Sequence, residues 1–360
     1  MNTAERAAAL AGAAGNFPLL GSFSAGDLLE LVQRELGHAE ILDGFRPYGK
    51  SSHFSRAFAP APILHIVSGN TPHAALQSLT RGLLLGARNL MKIPSQGLPE
   101  VEAFLDMLPV ALQTLAVVRR ELPPEWLREA RAWVVFGSDE TIAHFRKLLR
   151  SGVIFEPHPH RVSMGIIFED AAFDSAPLAA RDASLFNQKG CLSPHDFYVA
   201  GDARGYAARL AGEMARHEAH DPRSAVTTAE AAEIHDIRAN YRFRAANDPR
   251  VQLWESAGST AWTVIYEDDP WFASSCLNRV VFVKPLPDDL AAALGPALGW
   301  LGATGIWPAT PEYAERAAAL EPSRICPLGK MQEPPVSWHQ EGRQVLAPLV
   351  RWVDFEPDLR

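Results

Sequence analysis

Cysteine is scarce: three residues, at 191, 276 and 326, in a chain of 360. They are too few and too scattered for a disulfide framework, and none stands in a CxxC pair of the kind that holds structural zinc. A reducing, cytosolic setting is expected. Long apolar runs are missing as well. The longest, such as Gly82-Leu-Leu-Leu-Gly86, stop far short of the ~20 residues a spanning helix needs. The opening MNTAERAAALAGAAGNFPLL carries Glu5 and Arg6 and lacks a basic start followed by a continuous apolar stretch, so no targeting segment is expected. Positive charge is in deficit: Lys plus Arg is 34 against 42 for Asp plus Glu, a net charge of −8. A general nucleic-acid surface is thereby excluded, though not a local basic pocket for a phosphorylated cofactor. Several catalytic signatures are absent too: GxGxxG after a strand, GxxxxGK[ST] and the GxSxG elbow.

What is present reads as an α/β protein of about two domains. Residues 1–60 look like a helical and loop lead-in, with Ser24 capping a helix over about 25–36. Pro62–Val67 reads as a buried strand running into Ser68-Gly69-Asn70-Thr71-Pro72 and a helix from His73 to about Ala87. A strand at 89–93, two helical stretches around 98–121, a strand at 132–136 and a helix opening at Gly137-Ser138 follow. A second α/β unit begins near Arg161. Its expected elements are a strand at 161–168, a helix near 172–183, a strand at 196–200 and helices at about 205–219 and 225–248. A strand at 279–283, a helix at 288–300, a strand near 302–306 and a helix at 310–320 complete it. The expected domains are 61–160 and 161–345, with a tail over 346–360.

Four places carry chemistry. Cys191 sits between Gly190 and Leu192, with Ser193-Pro194 behind it. A thiol at a turn or helix start meets unpaired backbone N–H groups, which favour the thiolate and can hold an oxyanion; a lone cysteine is also a small buried hydrophobe in many folds. The Asn70 amide could donate to a developing negative oxygen, or simply cap the helix behind it. Lys92, at a strand end before Ile93-Pro94-Ser95, projects where a cofactor lies in open α/β sheets, or into solvent. Gly137-Ser138 opens a helix whose N–H groups could receive a phosphate, a turn that many α/β proteins have with no ligand. His158 and His160, in Glu156-Pro-His-Pro-His160, invite a metal reading. Without a further ligand at helical spacing, a turn stiffened by two prolines is the better account, and no metal is expected.

The order and spacing of Asn70, Lys92, Gly137-Ser138 and Cys191 resemble the aldehyde dehydrogenase superfamily, and within it the LuxC-type fatty acyl-CoA reductases. The stretches HIVSGNTPHAALQSLTRGLLLGARNLMKIPS, WVVFGSDETIAHFRKLL, HPHRVSMGIIFED and SLFNQKGCLSPHDFYV carry the resemblance, with the closing run from Ser323. It implies two Rossmann-like α/β domains with a cleft between them, NADPH as reductant and acyl-CoA as substrate. Cys191 matches the nucleophile that forms an acyl thioester, and Asn70 the amide that holds the thiohemiacetal oxygen. Ser68, Gly69, Gly137 and Ser138 match the cofactor turns, and Lys92 and Ser95 positions near the adenosine ribose and its 2′-phosphate. No glutamate stands where hydrolytic relatives activate water; Glu156 is near but offset, which favours acyl reduction over aldehyde oxidation. His158 or His160 is then available for a proton at the leaving thiolate. Two rivals share the fold: a cysteine acyltransferase or thioesterase, and a catalytically silent partner of an acyl-protein synthetase. A homo-oligomer is compatible with either; nucleic acid and a membrane span are not expected.

Overall fold

The computed structural model describes residues 1–17, 20–21, 23–48, 53–67, 72–170 and 172–357. The chain forms two compact units, Met1–His160 with Glu333–Arg360, and Arg161–Gln332.

The first unit opens with helices Thr3–Ala14 and Ala25–Leu36, each started by a reciprocal capping box, Asn2 with Glu5 and Ser24 with Asp27. Leu10, Leu28 and Leu31 bury themselves in one core with Leu76, Leu79 and Leu83 of helix Pro72–Leu84. Strands β1 (Arg46–Pro47) and β2 (Phe54–Phe58) pair antiparallel. Five parallel strands follow: β3 (Ile63–Ile66), β4 (Asn89–Lys92), β5 (Ala116–Arg119), β6 (Ala132–Phe136) and β7 (Ile154–His158), in the order β5-β4-β3-β6-β7. Every residue of β3 and β6 is buried, as expected of strands covered on both faces. The order reverses between β3 and β6, and in such sheets a ligand sits beyond the carboxyl ends of the strands at that point.

Two expectations fail here. The stretch 98–121 holds helices Pro99–Asp106 and Val110–Gln113 but ends in β5, because Ala-Val-Val-Arg offers adjacent β-branched residues to an open sheet edge. The prolyl-histidine segment is no turn. Residues 154–158 are strand β7, and Pro157 is tolerated because β7 is the outermost strand, where a missing N–H costs no ladder bond. Under the sheet His65 is fully buried, its Nε2 2.9 Å from Asn89 Oδ1 and its Nδ1 2.7 Å from Ser78 Oγ. Asn89 Nδ2 donates to Ala87 O at 2.8 Å, so the His65 proton lies on Nε2.

The second unit holds β8 (Val162–Ile167), β9 (Pro194–Val199), β10 (Val251–Glu255), β11 (Thr263–Glu267), β12 (Val280–Pro285), β13 (Leu301–Trp307) and β14 (Arg324–Pro327), in the order β10-β11-β12-β9-β8-β13-β14. Only β10 runs antiparallel to its neighbour; the β10–β11 hairpin had no counterpart in the expected series. The helix expected at 288–300 is α-helical over Leu290–Leu294 and 3-10 over Gly295–Trp300, where Gly295-Pro296 breaks it. From Glu333 the chain returns to the first unit and ends in β15 (Arg351–Phe355), antiparallel to β2. The stretch 333–345, expected with the second domain, therefore packs with the first. Glu35 fastens it there, accepting from the N–H groups of Val345, Leu346 and Ala347 at 2.9, 2.6 and 3.2 Å.

Candidate active site

Cys191 lies in a turn closed by Ser193 N–H donating to Gly190 O at 3.0 Å, just before β9 begins at Pro194. Cys191 is exposed. The other two cysteines are different. Burial pushes the Cys276 thiol up to about 11 and the Cys326 thiol up to about 12, so neither supplies thiolate near neutrality.

The backbone before Cys191 is unusual. Phe186, Asn187 and Gln188 all adopt left-handed angles, with φ of 52°, 54° and 62°, a conformation costing about 1–2 kcal/mol per non-glycine residue. Side chains hold it in place. Gln188, fully buried, donates through Nε2 to Pro194 O at 2.8 Å and Val280 O at 2.7 Å, and accepts from Val280 N–H at 2.8 Å. Lys189 pairs with Glu230, and that hydrogen bond, with a second from the Thr227 N–H, holds the Glu230 carboxyl down at about 2. Ser163, on β8, donates to Cys191 O at 2.7 Å while accepting from Ala303 N–H at 2.8 Å. Gln332 reaches Ser193 Oγ at 2.8 Å. Gly302 gives the loop room: a Cβ there would stand 3.0 Å from Ser163 Oγ and 3.3 Å from Cys191 O.

The described candidate cofactor residues lie at or follow the carboxyl ends of β4 and β6. Ser68, Gly69 and Asn70 follow β3 in sequence and lie outside the described residues. Lys92 ends β4 half-buried, and its ammonium makes no hydrogen bond or ion pair among the described residues. Ser95 is exposed in the turn Pro94–Gly97, closed by a 2.9 Å bond. Gly137 and Ser138 follow β6. A Cβ on Gly137 would come 2.8 Å from Thr141 Cγ2, so the helix Asp139–Leu148 starts this close to the strand only with glycine there. Ser138 caps that helix, accepting from Thr141 N–H at 3.3 Å.

His158, the last residue of β7, is 8% exposed and stacks on Phe136 at 4.3 Å between ring centroids. Its Nδ1 lies 2.9 Å from Glu341 Oε1. His160 is exposed at the end of the unit. Burial pushes the Glu156 carboxyl up, against the pull of Arg343, whose Nη1 is 2.8 Å from Glu156 Oε1. Among the described residues no cluster of three or more His, Cys, Asp or Glu could hold a metal ion, and no helix is long and apolar enough to cross a membrane.

Comparison with known proteins settles the family. The model of the LuxC acyl-CoA reductases matches residues 6–352. The chain belongs to the LuxC acyl-CoA reductase family. Among curated relatives, it is 27% identical over 49% of its length to the long-chain acyl-protein thioester reductase of Photorhabdus luminescens, an alignment spanning 39% of that protein. The corresponding reductase of Aliivibrio fischeri is 22% identical over 91% of this chain and 70% of its own. Among solved structures, an aldehyde dehydrogenase from Bacillus cereus in complex with NAD+ superposes with a TM-score of 0.70 at 12% identity, covering 100% of this chain and 85% of that one. A succinic semialdehyde dehydrogenase from Streptococcus pyogenes with NADP+ gives 0.66 at 14%, covering 99% and 90%. The fold of this LuxC-family chain is that of the aldehyde dehydrogenases.

Gln188, Ser163, Gly302 and Glu341 were not picked out as site residues from sequence. Ser163 left a faint mark, one polar residue inside a strand otherwise suited to burial; Gln188, between Asn187 and Lys189, left none. Glu341 left none, standing 183 residues from the histidine it meets.

Proposed function

We propose that this protein is an NADPH-dependent acyl thioester reductase with acyl-CoA as donor. The observation that carries the reading is the contrast among its thiols: Cys191 is exposed on a loop fastened by distant side chains, while the half-buried Cys276 and the buried Cys326 have their thiols pushed up by burial. In this reading the Cys191 thiolate attacks the thioester carbonyl, forms acyl-Cys191 and expels CoA as thiolate. Reduction of acyl-Cys191 gives a thiohemiacetal on the same sulfur, which collapses to aldehyde and regenerates the Cys191 thiolate. Backbone N–H groups of the 190–193 turn and the Asn70 amide are the proposed donors to its oxygen.

The first unit's residues fit a dinucleotide. The Gly137 position, where a Cβ would crowd Thr141, brings a helix N-terminus up to the strand end, and the half-buried Lys92 ammonium has no protein partner among the described residues. Ser68, Gly69, Gly137 and Ser138 would take the pyrophosphate through backbone N–H groups, with Lys92 and Ser95 at the adenosine ribose and its 2′-phosphate. When bound, the reduced dinucleotide supplies the hydride.

The test is to mix the protein with NADPH and a series of acyl-CoAs while following absorbance and aldehyde together. Cys191→Ala is expected to abolish turnover, and Lys92→Ala to raise the KM for NADPH with a smaller effect on kcat. Undiminished turnover in the Cys191 variant overturns the reading. CoA release without NADPH consumption would favour a thioesterase or acyltransferase.

A further inference from the structure

A fully buried acid in the second unit reaches the Cys191 turn through one side chain. Asp182 lies in the last turn of the helix Ala176–Ser184. Each of its oxygens takes one backbone donor from the segment after β14: Gly329 N–H reaches Oδ2 at 2.5 Å and Met331 N–H reaches Oδ1 at 3.1 Å. That segment belongs to no helix or strand, so two donors on one carboxyl fix both its place and its twist. Arg181 donates to Gly329 O, and Arg324 to Met331 O and Lys330 O at 2.8 and 2.9 Å. A Cβ at Gly329 would stand 2.9 Å from Leu178 Cδ2, so the segment lies directly against the helix. The next residue, Gln332, is also buried. Its Nε2 lies 3.4 Å from Asp182 O and 2.8 Å from Ser193 Oγ. One amide thus bridges the helix that enters the left-handed loop and the turn that leaves it, with Cys191 between them. Ser193 N–H then closes that turn on Gly190 O at 3.0 Å. Packing alone does not call for an acid here, since the helix already buries Ala176, Ala179, Ala180 and Ala183, and a buried carboxyl is costly unless its hydrogen bonds are made.

We propose that Asp182 is a positioning residue for acyl transfer: by fixing the 329–331 backbone it sets Gln332, and through Gln332 the turn that presents Cys191. The inference rests on the acyl-reductase reading for the reaction it serves but not for its geometry. Every group in it belongs to the second unit. Asp182 touches neither the thiol nor a substrate; it acts only through the backbone it holds.

The experiment reads two reactions of one thiol. Iodoacetamide alkylates an exposed thiolate and demands little of the turn, whereas acyl transfer from an acyl-CoA needs the turn's N–H groups aimed at the carbonyl oxygen. The ratio of the two rates cancels the thiolate fraction and leaves the geometry of the turn. It is measured by single turnover at pH 8, above the value of about 7 to which burial pushes the Asp182 carboxyl. Asp182→Asn, which sets an amide donor against one of the two N–H groups, is expected to lower the ratio roughly tenfold, and Gln332→Ala by a similar factor. The double variant should lose no more than the larger single loss, because both lie on one chain of contacts. Asp182→Ser, small and neutral with one acceptor left, keeps the question open to measurement if Asp182→Asn does not fold, and should lower the ratio several-fold. Amide exchange at Ser193, which needs no substrate, should quicken in each of these variants. A lower melting temperature with an unchanged ratio would make Asp182 a structural staple only and overturns the inference, as do single losses that multiply in the double variant. Should wild type take no acyl group from any acyl-CoA, the functional reading fails on its own; exchange at Ser193 then decides whether Asp182 reaches the turn, and a wild-type rate there in Asp182→Ser means that it does not.

Discussion

The turn at Gly137-Ser138 and the turn at Cys191 are held by opposite means. At the first, a glycine avoids Thr141 and a serine caps the helix it precedes, so the side-chain contacts that shape the turn lie within four residues, joined by one backbone bond from Gly137 N–H to His158 O of the neighbouring strand. At the second, the fasteners are Gln188 to Val280, Ser163 to the Cys191 carbonyl, and Gln332 to Ser193 across 139 residues of sequence. A turn held locally forms as soon as its helix does. A left-handed loop held from afar exists only once β8, β9, β12 and β13 are in place. The nucleophile's geometry thus depends on the completed second unit, whereas the cofactor turn depends on little beyond its own strand and helix.

Breaking the distant fastening should have the largest effect. Gln188→Ala removes three buried hydrogen bonds; Val280 N–H keeps Leu277 O at 3.1 Å and Val280 O keeps the Ser275 hydroxyl, while Pro194 O loses its side-chain donor. At about 1 kcal/mol or less for each lost bond the loss of stability should be about 1–3 kcal/mol. Acyl transfer should fall on the order of a hundredfold, as expected when a nucleophile is misplaced by an ångström or so. Alkylation of Cys191 by iodoacetamide should change only a few-fold, since that thiol is exposed with or without the fastener. Gln188→Glu, whose buried carboxylate would face the Pro194 and Val280 carbonyls with nothing to donate, should lose at least as much. Denaturant melts, alkylation rates and single-turnover acyl transfer on the three proteins check this; turnover in Gln188→Ala close to wild type would dissolve the contrast between the turns.

The same distinction explains what could be read from the chain. Ser24 as a cap, the buried runs of β3 and β6, and the helix opening at Ser138 are local signals, and the structure has all of them. The segment around His158 was read as a turn because Pro157 and Pro159 are local breakers; only the outermost place of β7 in the sheet, a tertiary fact, makes Pro157 harmless. The β10–β11 hairpin escaped because Val251–Glu255 is half-buried and mixed in character, with neither clear alternation nor a tight turn signal. Cys191 could be singled out by its glycine and its place in the series. What shapes its loop could not, because nothing near Gln188 announces that its amide will meet Val280. The return of 333–345 to the first unit was invisible for the same reason: Glu35 recognises backbone N–H groups, which every residue has.

A buried histidine offers a middle case, with a partner 24 residues away. Burial drives the His65 imidazole down to about 4, from the ordinary value of about 6.5. Below 6.5 the unfolded chain takes up a proton that the folded one refuses, so stability is fully present above that pH and is lost as pH falls towards 4. The loss should reach up to about 3 kcal/mol across that window. Asp182 acts oppositely: burial, outweighing N–H donors from Gly329 and Met331, raises its carboxyl to about 7, so its contribution is lost as pH rises through that value. The difference between wild type and His65→Gln separates the two. Urea midpoints at pH 7 and pH 4.5 should fall further for wild type than for the variant; equal falls would mean that the His65–Asn89 contact gains and loses nothing with protonation.

The smallest effect belongs to the locally held turn. Ser138→Ala removes one cap from an exposed helix start, a loss of about 1 kcal/mol. The backbone N–H groups that would face a dinucleotide are untouched, and Gly137 still permits the close approach of strand and helix. NADPH affinity, measured by fluorescence titration, should therefore change less than threefold while the melting temperature drops by a few degrees. A large loss of affinity with little loss of stability would mean that the Ser138 hydroxyl serves the ligand rather than the helix. The two turns would then differ less than their fastenings suggest, each depending on a side chain with a task beyond holding its own backbone.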